Sequence, residues 1–285
     1  MTFREKLRAA SNRNDSLLCV GLDPQPAFMP IDDVERFCRT IIEATQDLVC
    51  VYKPQSAFFE AYGREGWDAL KATIDAVPDE IPVLLDAKRG DIGSTAEAYA
   101  SAGFDYFGAD AMTVNPYLGA DSVAPFLARP DRTAFVLCRT SNPSAPDMQD
   151  LSTTRDGQED VQPLYMRVAD LANEWNQPHG NVGLVVGATY PDELAQIRAR
   201  CPDLPILLPG IGAQGGDLEG SVARGLDAQG GGLMLSASRS VLYASDGDDF
   251  ARAARDAALE LREAINAARR EPTAESSGGA GGGRH

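Results

Sequence analysis

Histidine is nearly missing from this chain, which has only His179 and His285 among its 285 residues. A Ser-His-Asp triad needs a histidine beside its nucleophile, and zinc sites are most often built from His and Cys ligands. His179 follows a proline in a predicted loop, where a solvated side chain is the simplest interpretation. The scarcity of histidine therefore argues against triad hydrolysis and against a metal site.

Paired cysteines and long apolar runs are missing as well. The five cysteines include no Cys-x-x-Cys pair, so we interpret them as buried free thiols. No apolar stretch reaches the about 18 residues that a membrane span needs. The first residues contain no uninterrupted apolar run of the kind that an export signal needs. We expect a cytoplasmic protein that does not bind a membrane.

Lysine is scarce too, since only four of the 26 basic residues are lysines, and the net charge is −16. A charge this negative repels nucleic acid, so we expect no nucleic-acid partner. The acidic surface serves either solubility or adaptation to a salty, halophilic cytoplasm, and the second interpretation predicts a loss of stability at low salt. Lys53 and Lys88 end apolar runs, where solubility does not require them.

Short apolar runs alternate with amphipathic helical segments along the whole chain. The predicted strands are 17–22, 48–53, 83–86, 111–114, 134–138, 182–186, 206–208 and 233–236. The predicted helices are 32–45, 59–76, 95–102, 122–127, 163–175, 192–200, 217–226 and 248–268. Alternating strands and helices indicate parallel βαβ units, and the continuous apolarity of the strands indicates burial on both faces. Eight such units predict an α/β fold, the (β/α)8 TIM barrel.

Three segments depart from the repeat. Residues 2–10 resemble a short helix ahead of the barrel, placed to cover its N-terminal end. Residues 142–162 are polar and predict a long loop after the fifth strand. The glycine-rich tail 271–285 lacks apolar residues for a core. We therefore expect one barrel domain over 1–270 and a disordered tail.

Active sites of such barrels lie at the carboxyl ends of the strands. Those ends carry an unusual density of polar residues: Asp23, Lys53, Asp86, Lys88, Asn115, Ser141 and Arg239, with Pro209 and Gly210 at the end of the seventh strand. Buried charges are costly unless they pair with one another or with a ligand. A binding site at this end of the barrel is therefore expected.

The third predicted strand ends in the run Asp86-Ala87-Lys88-Arg89-Gly90-Asp91. Asp86 and Lys88 point to the same side if the extended geometry persists, and Gly90 permits a turn before Asp91. Nearby carboxylates keep a lysine protonated, and a fixed ammonium beside a carboxylate suits protonation of a carbanion. The alternative is a salt-bridge ladder on the surface, which continuation from a buried strand disfavours.

A second cluster follows the seventh and eighth predicted strands. Glycines 210, 212, 215 and 216 precede a helix, and bare backbone N–H groups near a helix N-terminus bind anions. Arg239 after the eighth strand supplies a bidentate cation. Barrels often bind phosphate with the loops after strands 7 and 8, so we predict a phosphate site here.

The run from Asp86 to Asp91 resembles the Asp-x-Lys-x-x-Asp signature of orotidine-5′-phosphate decarboxylases, in the form typical of the bacterial and haloarchaeal branch. The resemblance covers nearly the whole predicted barrel. It includes Val20-Gly21-Leu22-Asp23-Pro24, Val51-Tyr52-Lys53-Pro54-Gln55, Arg139-Thr140-Ser141-Asn142-Pro143, the glycine-rich loop and Arg239. The family implies cofactor-free decarboxylation of orotidine 5′-phosphate to UMP in pyrimidine biosynthesis, by a homodimer.

The same resemblance implies a role for each matching residue. Lys88 would donate a proton to C6 of the pyrimidine, in a charged network with Asp86, Lys53 and Asp91. Asp91 and Thr95 would reach into the partner subunit's site. The implied substrate-binding residues are Asp23 and Lys53 for the ribose, Ser141 for the pyrimidine edge, and Pro209, Gly210, Gly212, Gln214, Gly215, Ser238 and Arg239 for the phosphate.

Two rival functions stay open, and a third is disfavoured. A hexulose-phosphate synthase shares a similar Asp-x-Lys-x-x-Asp arrangement but uses magnesium, and Arg89, Gly90 and Lys53 favour the decarboxylase over it. A non-catalytic nucleotide-binding barrel would keep the pocket, but the presence of Lys88 argues against it. We expect no fused second enzyme domain in a chain of this length.

Overall fold

The computed structural model describes residues 1–154, 161–211 and 217–270. Eight parallel strands form the central sheet: β1 Leu18–Leu22, β2 Val51–Pro54, β3 Leu84–Arg89, β4 Ala111–Val114, β5 Thr133–Arg139, β6 Val182–Val186, β7 Ile206–Pro209 and β8 Leu233–Ala237. Their order is β2-β1-β8-β7-β6-β5-β4-β3. Parallel bridges from Tyr52 to Val83 and from Gln55 to Asp86 join the two end strands. The predicted (β/α)8 barrel is confirmed.

Helices surround the barrel on the outside. They are α1 Phe3–Asn14, α2 Val34–Thr45, α3 Ser56–Glu60, α4 Arg64–Asp75, α5 Gly93–Ala100, α6 Ala120–Leu127, α7 Pro146–Gln149, α8 Leu164–Asn176, α9 Pro191–Arg200, α10 Leu218–Gly225, α11 Arg239–Leu242 and α12 Phe250–Arg270. None of the helices in the described part of the chain is both long and apolar enough to span a membrane.

Two apolar layers hold the barrel together. The larger lies between the strands and the outer helices, and the smaller fills the barrel with side chains that include Cys19, Val51, Leu84 and Phe135. These interior positions follow the alternation of a pleated strand, so the next inward side chains lie at the strand ends. The interior packing therefore sets which residues face the mouth of the barrel.

Helix α1 closes the N-terminal end of the barrel, as expected. A capping box between Thr2 and Glu5 begins the helix, and Phe3 packs edge-on against Phe135 at a ring-centroid distance of 5.5 Å. The helix is longer than the predicted 2–10. The site expected at the carboxyl ends of the strands therefore lies at the opposite end of the barrel from α1.

Several predicted boundaries need correction. The single helix predicted over 59–76 is two helices, α3 and α4, because the chain turns at Gly63 with a φ of 63°, which glycine adopts readily. The loop predicted over 142–162 contains α7 and part of an antiparallel ribbon, Ser152–Thr153 with Gln162–Pro163. Residues 155–160 and the predicted tail 271–285 lie outside the described residues.

Candidate active site

A continuous chain of opposite charges lies at the carboxyl ends of β1, β2 and β3. The ammonium Nζ of Lys53 lies 3.7 Å from Asp23 Oδ1 and 3.2 Å from Asp86 Oδ2. On its other side, Asp86 Oδ1 lies 2.7 Å from the Nζ of Lys88. The predicted proximity of these four side chains is therefore correct, and Asp86 is held between two cations.

Burial makes this network electrostatically strong. Asp86 is 7% exposed and Lys53 is 5% exposed. Burial alone would raise the pKa of Asp86, but the positive charges of Lys53 and Lys88, with hydrogen bonds to the carboxylate, lower it to about 2. Burial alone would lower the pKa of Lys53, but Asp23 and Asp86 raise it above its ordinary value. The Lys53–Asp86 pair therefore remains charged at neutral pH.

The backbone conformation that brings Lys88 to Asp86 differs from the one predicted from the sequence. The assumption of extended geometry up to Lys88 is wrong, because its φ is 47° and the register of β3 against β4 shifts along this stretch. The Thr113 hydroxyl oxygen accepts hydrogen bonds from the backbone N–H groups of Ala87 (3.0 Å) and Lys88 (2.9 Å). The same hydroxyl donates to Asp86 Oδ1 at 2.8 Å. Thr113 thus stabilises an unfavourable backbone conformation that aims the ammonium at the carboxylate.

The next two residues of the run fix the end of β3. Arg89 pairs with Glu60, and its guanidinium lies 5.2 Å from the ring centroid of Tyr99. A Cβ on Gly90 would lie 2.6 Å from the Asn115 carbonyl oxygen. Gly90 is therefore needed for close approach of two backbone segments as well as for the predicted turn.

Asp91 and Thr95 follow the end of β3 and are not among the paired residues of the network. Asp91 is partly exposed and accepts a hydrogen bond from the N–H of Ile92, and Thr95 lies exposed on the first turn of α5. Among the described residues, Asp91 forms no ion pair. The structure therefore does not bring Asp91 to Lys88 within one subunit.

Asp23 presents a carboxylate oxygen at the barrel mouth. Its Oδ1 is buried and has no hydrogen-bond partner among the described residues, although Lys53 is nearby. The Ser238 side chain packs directly on Gly21, since a Cβ at that glycine would collide with the Ser238 hydroxyl. The carboxylate as a whole is only partly buried, so its accessible part is suited to accept a hydrogen bond from a ligand hydroxyl.

Ser141 lies just beyond β5, where it packs on Gly187 beyond β6. A Cβ on Gly187 would be 2.8 Å from the Ser141 Cβ, so the contact requires a glycine there. The adjacent Thr140 is fixed by Gln149, whose Oε1 accepts from the Thr140 N–H at 2.9 Å. Gln149 also accepts a 3.2 Å hydrogen bond from the buried Arg139. These contacts hold the segment that carries Ser141 in place between the ends of β5 and β6.

The predicted phosphate residues are partly described. Pro209 ends β7, Gly210 has a φ of 105°, and Ser238 precedes α11, which begins at the exposed Arg239. Adjacent strands β7 and β8 bring these two turns together. The predicted ligands Gly212, Gln214 and Gly215 lie outside the described residues.

Sequence reasoning missed Thr113 and Tyr243. Thr113 stands two residues before Asn115 at the end of the fourth predicted strand, so strand alternation could have placed it on the inward face. Tyr243 carries no such signal, because its partners are more than 200 positions away along the chain.

Comparison with known proteins identifies the family of the chain. The model of the orotidine 5′-phosphate decarboxylase / HUMPS family matches residues 16–254. An orotidine 5′-phosphate decarboxylase of Azoarcus sp. is 55% identical over 279 residues, covering 94% of this chain and all of the relative. The enzyme of the same name from Roseiflexus sp. is 52% identical over 275 residues, covering 94% of this chain and 98% of the relative.

Solved structures show the same likeness. The Leishmania donovani OMP decarboxylase superposes with a TM-score of 0.83 at 46% identity, covering 95% of this chain and 100% of the other. Leishmania donovani UMP synthase gives 0.85 at 48% identity and 94% coverage, but this chain spans only 57% of its length. The predicted resemblance is thus confirmed: the chain belongs to the orotidine 5′-phosphate decarboxylase / HUMPS family.

Proposed function

We propose that this chain decarboxylates orotidine 5′-phosphate to UMP without a cofactor, with Lys88 as the proton donor to C6. The observation that carries the proposal is that the Asp86 carboxylate forms ion pairs with both Lys53 and Lys88 at the carboxyl end of the barrel. The enzyme class, a carboxy-lyase of pyrimidine biosynthesis, follows from the curated relatives named orotidine 5′-phosphate decarboxylase.

Substrate binding follows the arrangement of the mouth. Arg239, Ser238 and the backbone N–H of Gly210 bind the phosphate, together with Gly212, Gln214 and Gly215, and Pro209 shapes the turn that carries them. The partly buried Asp23 carboxylate and Lys53 bind the ribose hydroxyls, and Ser141 contacts the pyrimidine edge. Binding energy from the distant phosphate holds C6 beside Lys88 and reduces the entropy cost of the reaction. Cationic groups also attract an anionic substrate to a strongly acidic protein.

The chemical step needs a cation at the carbon that loses its carboxylate. When the bond between C6 and the carboxyl carbon breaks, carbon dioxide leaves and the electron pair remains on C6. The Lys88 ammonium, already fixed 2.7 Å from Asp86, stabilises that charge without reorganisation and then transfers its proton to C6. Water returns a proton to the lysine. Asp86 keeps Lys88 protonated and oriented at the reacting carbon.

The partner subunit completes each site in this proposal. Asp91 and Thr95 lie at or just before the first turn of α5, near the exposed Ile92 and Tyr99. An exposed apolar patch beside a polar rim is typical of a protein interface. We propose a homodimer in which Asp91 and Thr95 reach the neighbouring Lys88. The single domain over 1–270, the cytoplasmic location and the adaptation to salt stay predictions.

The proposed activity is tested by following the ultraviolet absorbance of orotidine 5′-phosphate with the purified protein, with and without EDTA. We expect loss of substrate and formation of UMP at the same rate in both samples, because the proposed steps use side chains alone. Activity that EDTA removes and magnesium restores, or tight UMP binding without any turnover, would contradict the proposal. The first result would contradict cofactor-free chemistry, and the second would favour a binding protein.

A further inference from the structure

Tyr243 bridges two strand ends that the proposed mechanism uses separately. It follows α11 directly, so it lies at the opposite end of that four-residue helix from Arg239. Its hydroxyl donates to the backbone carbonyl oxygen of Asp23 at 2.6 Å and accepts from the N–H of Gln25 at 2.7 Å. One side chain after β8 therefore holds both sides of the turn after β1.

The ring of Tyr243 is fixed by aromatic packing. It stacks on Phe37 with a centroid distance of 6.1 Å and an interplanar angle of 8°, and it lies 5.5 Å from the ring of Phe28. Phe37 in turn stacks on Phe250 at 5.6 Å. Burial raises the pKa of the Tyr243 hydroxyl above its ordinary value, so it keeps its donor proton at neutral pH. A rigid ring with a protonated hydroxyl is suited to hold a backbone in place.

The backbone that Tyr243 holds belongs to Asp23, whose carboxylate must be placed accurately to bind the ribose. The Asp23 carboxylate lies partly buried at the barrel mouth, with its Oδ1 3.7 Å from the Lys53 ammonium. Ser238, immediately before Arg239, packs on Gly21 two residues before Asp23. Two contacts therefore connect the ribose-binding and phosphate-binding parts of the proposed site. One is Ser238 against Gly21, and the other is the Tyr243 hydroxyl with the Asp23 backbone.

We propose that Tyr243 is a positioning residue that ties the Asp23 backbone to the helix carrying Arg239. This inference rests on the proposed function of the site. Tyr243 acts through Asp23: it fixes the spacing between the cation for the phosphate and the carboxylate for the ribose. Binding energy gained at the phosphate then orients the ribose, and through it the reacting carbon.

The test is Tyr243→Phe, which keeps the ring stack and removes both hydrogen bonds. We expect kcat/KM for orotidine 5′-phosphate to fall about 10-fold to 30-fold, the effect of two ordinary hydrogen bonds. The matched control is Tyr62→Phe, since within the described ranges the Tyr62 hydroxyl has a single weak partner, the Met29 sulfur at 3.9 Å. The control should retain wild-type kcat/KM. If the Tyr243→Phe protein has the same melting temperature as the control and keeps wild-type kcat/KM, the inference is wrong.

A double-mutant cycle separates positioning from a general structural role. If Tyr243 acts through Asp23, then Tyr243→Phe has almost no further effect on kcat/KM in an Asp23→Ala background. Full additivity of the two changes would overturn the inference. The cycle is also measured on the Kd for UMP, so it can be completed even if the wild-type protein does not turn over the substrate. Absent turnover contradicts the proposed function, whereas additive UMP binding contradicts only the role of Tyr243.

Discussion

Replacing Lys88 with alanine is expected to lower kcat for orotidine 5′-phosphate by at least about 1,000-fold, within the range that positioned proton donors contribute. The change removes the proton donor and also the cation that stabilises the carbanion at C6. Asp86 would remain paired with Lys53 at 3.2 Å, so its negative charge stays compensated. We therefore expect the loss to fall on catalysis and not on folding.

The measurement is single-turnover decarboxylation with enzyme in excess, beside the melting temperature and the Kd for UMP. Lys71→Ala is the matched control, because Lys71 forms an exposed ion pair with Asp75 on the outer helix α4 and takes no part in the network. The control should keep wild-type kcat, and both variants should melt close to the wild type. Wild-type kcat in the Lys88→Ala protein would show that another group supplies the proton.

Mixing two inactive variants is expected to restore activity. In the proposed dimer, one subunit supplies Asp86 and Lys88 to a site and its partner supplies Asp91. A heterodimer of Lys88→Ala and Asp91→Ala chains then contains one site with both changes and one site with neither. With random exchange of subunits, half of the dimers are mixed, so we expect about one quarter of wild-type activity from two proteins that are nearly inactive alone.

The same logic supplies a matched negative control. Lys88→Ala mixed with Asp86→Ala leaves every site incomplete, because both residues come from the same strand, β3, of one subunit. That mixture should stay inactive under the same conditions. Formation of the heterodimers is verified with two distinguishable affinity tags. Verified heterodimers of Lys88→Ala and Asp91→Ala without activity would remove the role of Asp91 across the interface.

The gathering of Asp23, Lys53, Asp86 and Lys88 was predictable from the sequence, because parallel strands of a barrel end on the same side. Apolar runs located the strands to within a few residues, and each charged residue ended such a run. The prediction of the barrel itself depended on the same pattern, repeated eight times.

The local geometry that makes the site work was not predictable in the same way. The left-handed conformation of Lys88 depends on the Thr113 hydroxyl of the neighbouring strand, which satisfies two backbone N–H groups. The hydrogen bond from the Tyr243 hydroxyl to the Asp23 carbonyl oxygen connects the chain after the last strand to the chain after the first. Such contacts follow from the closure of the barrel, which strand and helix propensities do not encode locally.

The central claim is that Lys88 delivers the proton to C6, and its most direct test runs this step in reverse. The group that protonates C6 in one direction must remove that proton in the other, so the wild-type protein should exchange the C6 hydrogen of UMP in deuterated water. Proton NMR of UMP, bound to equal occupancy by both proteins, follows the exchange. We predict exchange with the wild type and none above the buffer background with Lys88→Ala. Exchange at the wild-type rate in the variant would contradict the account.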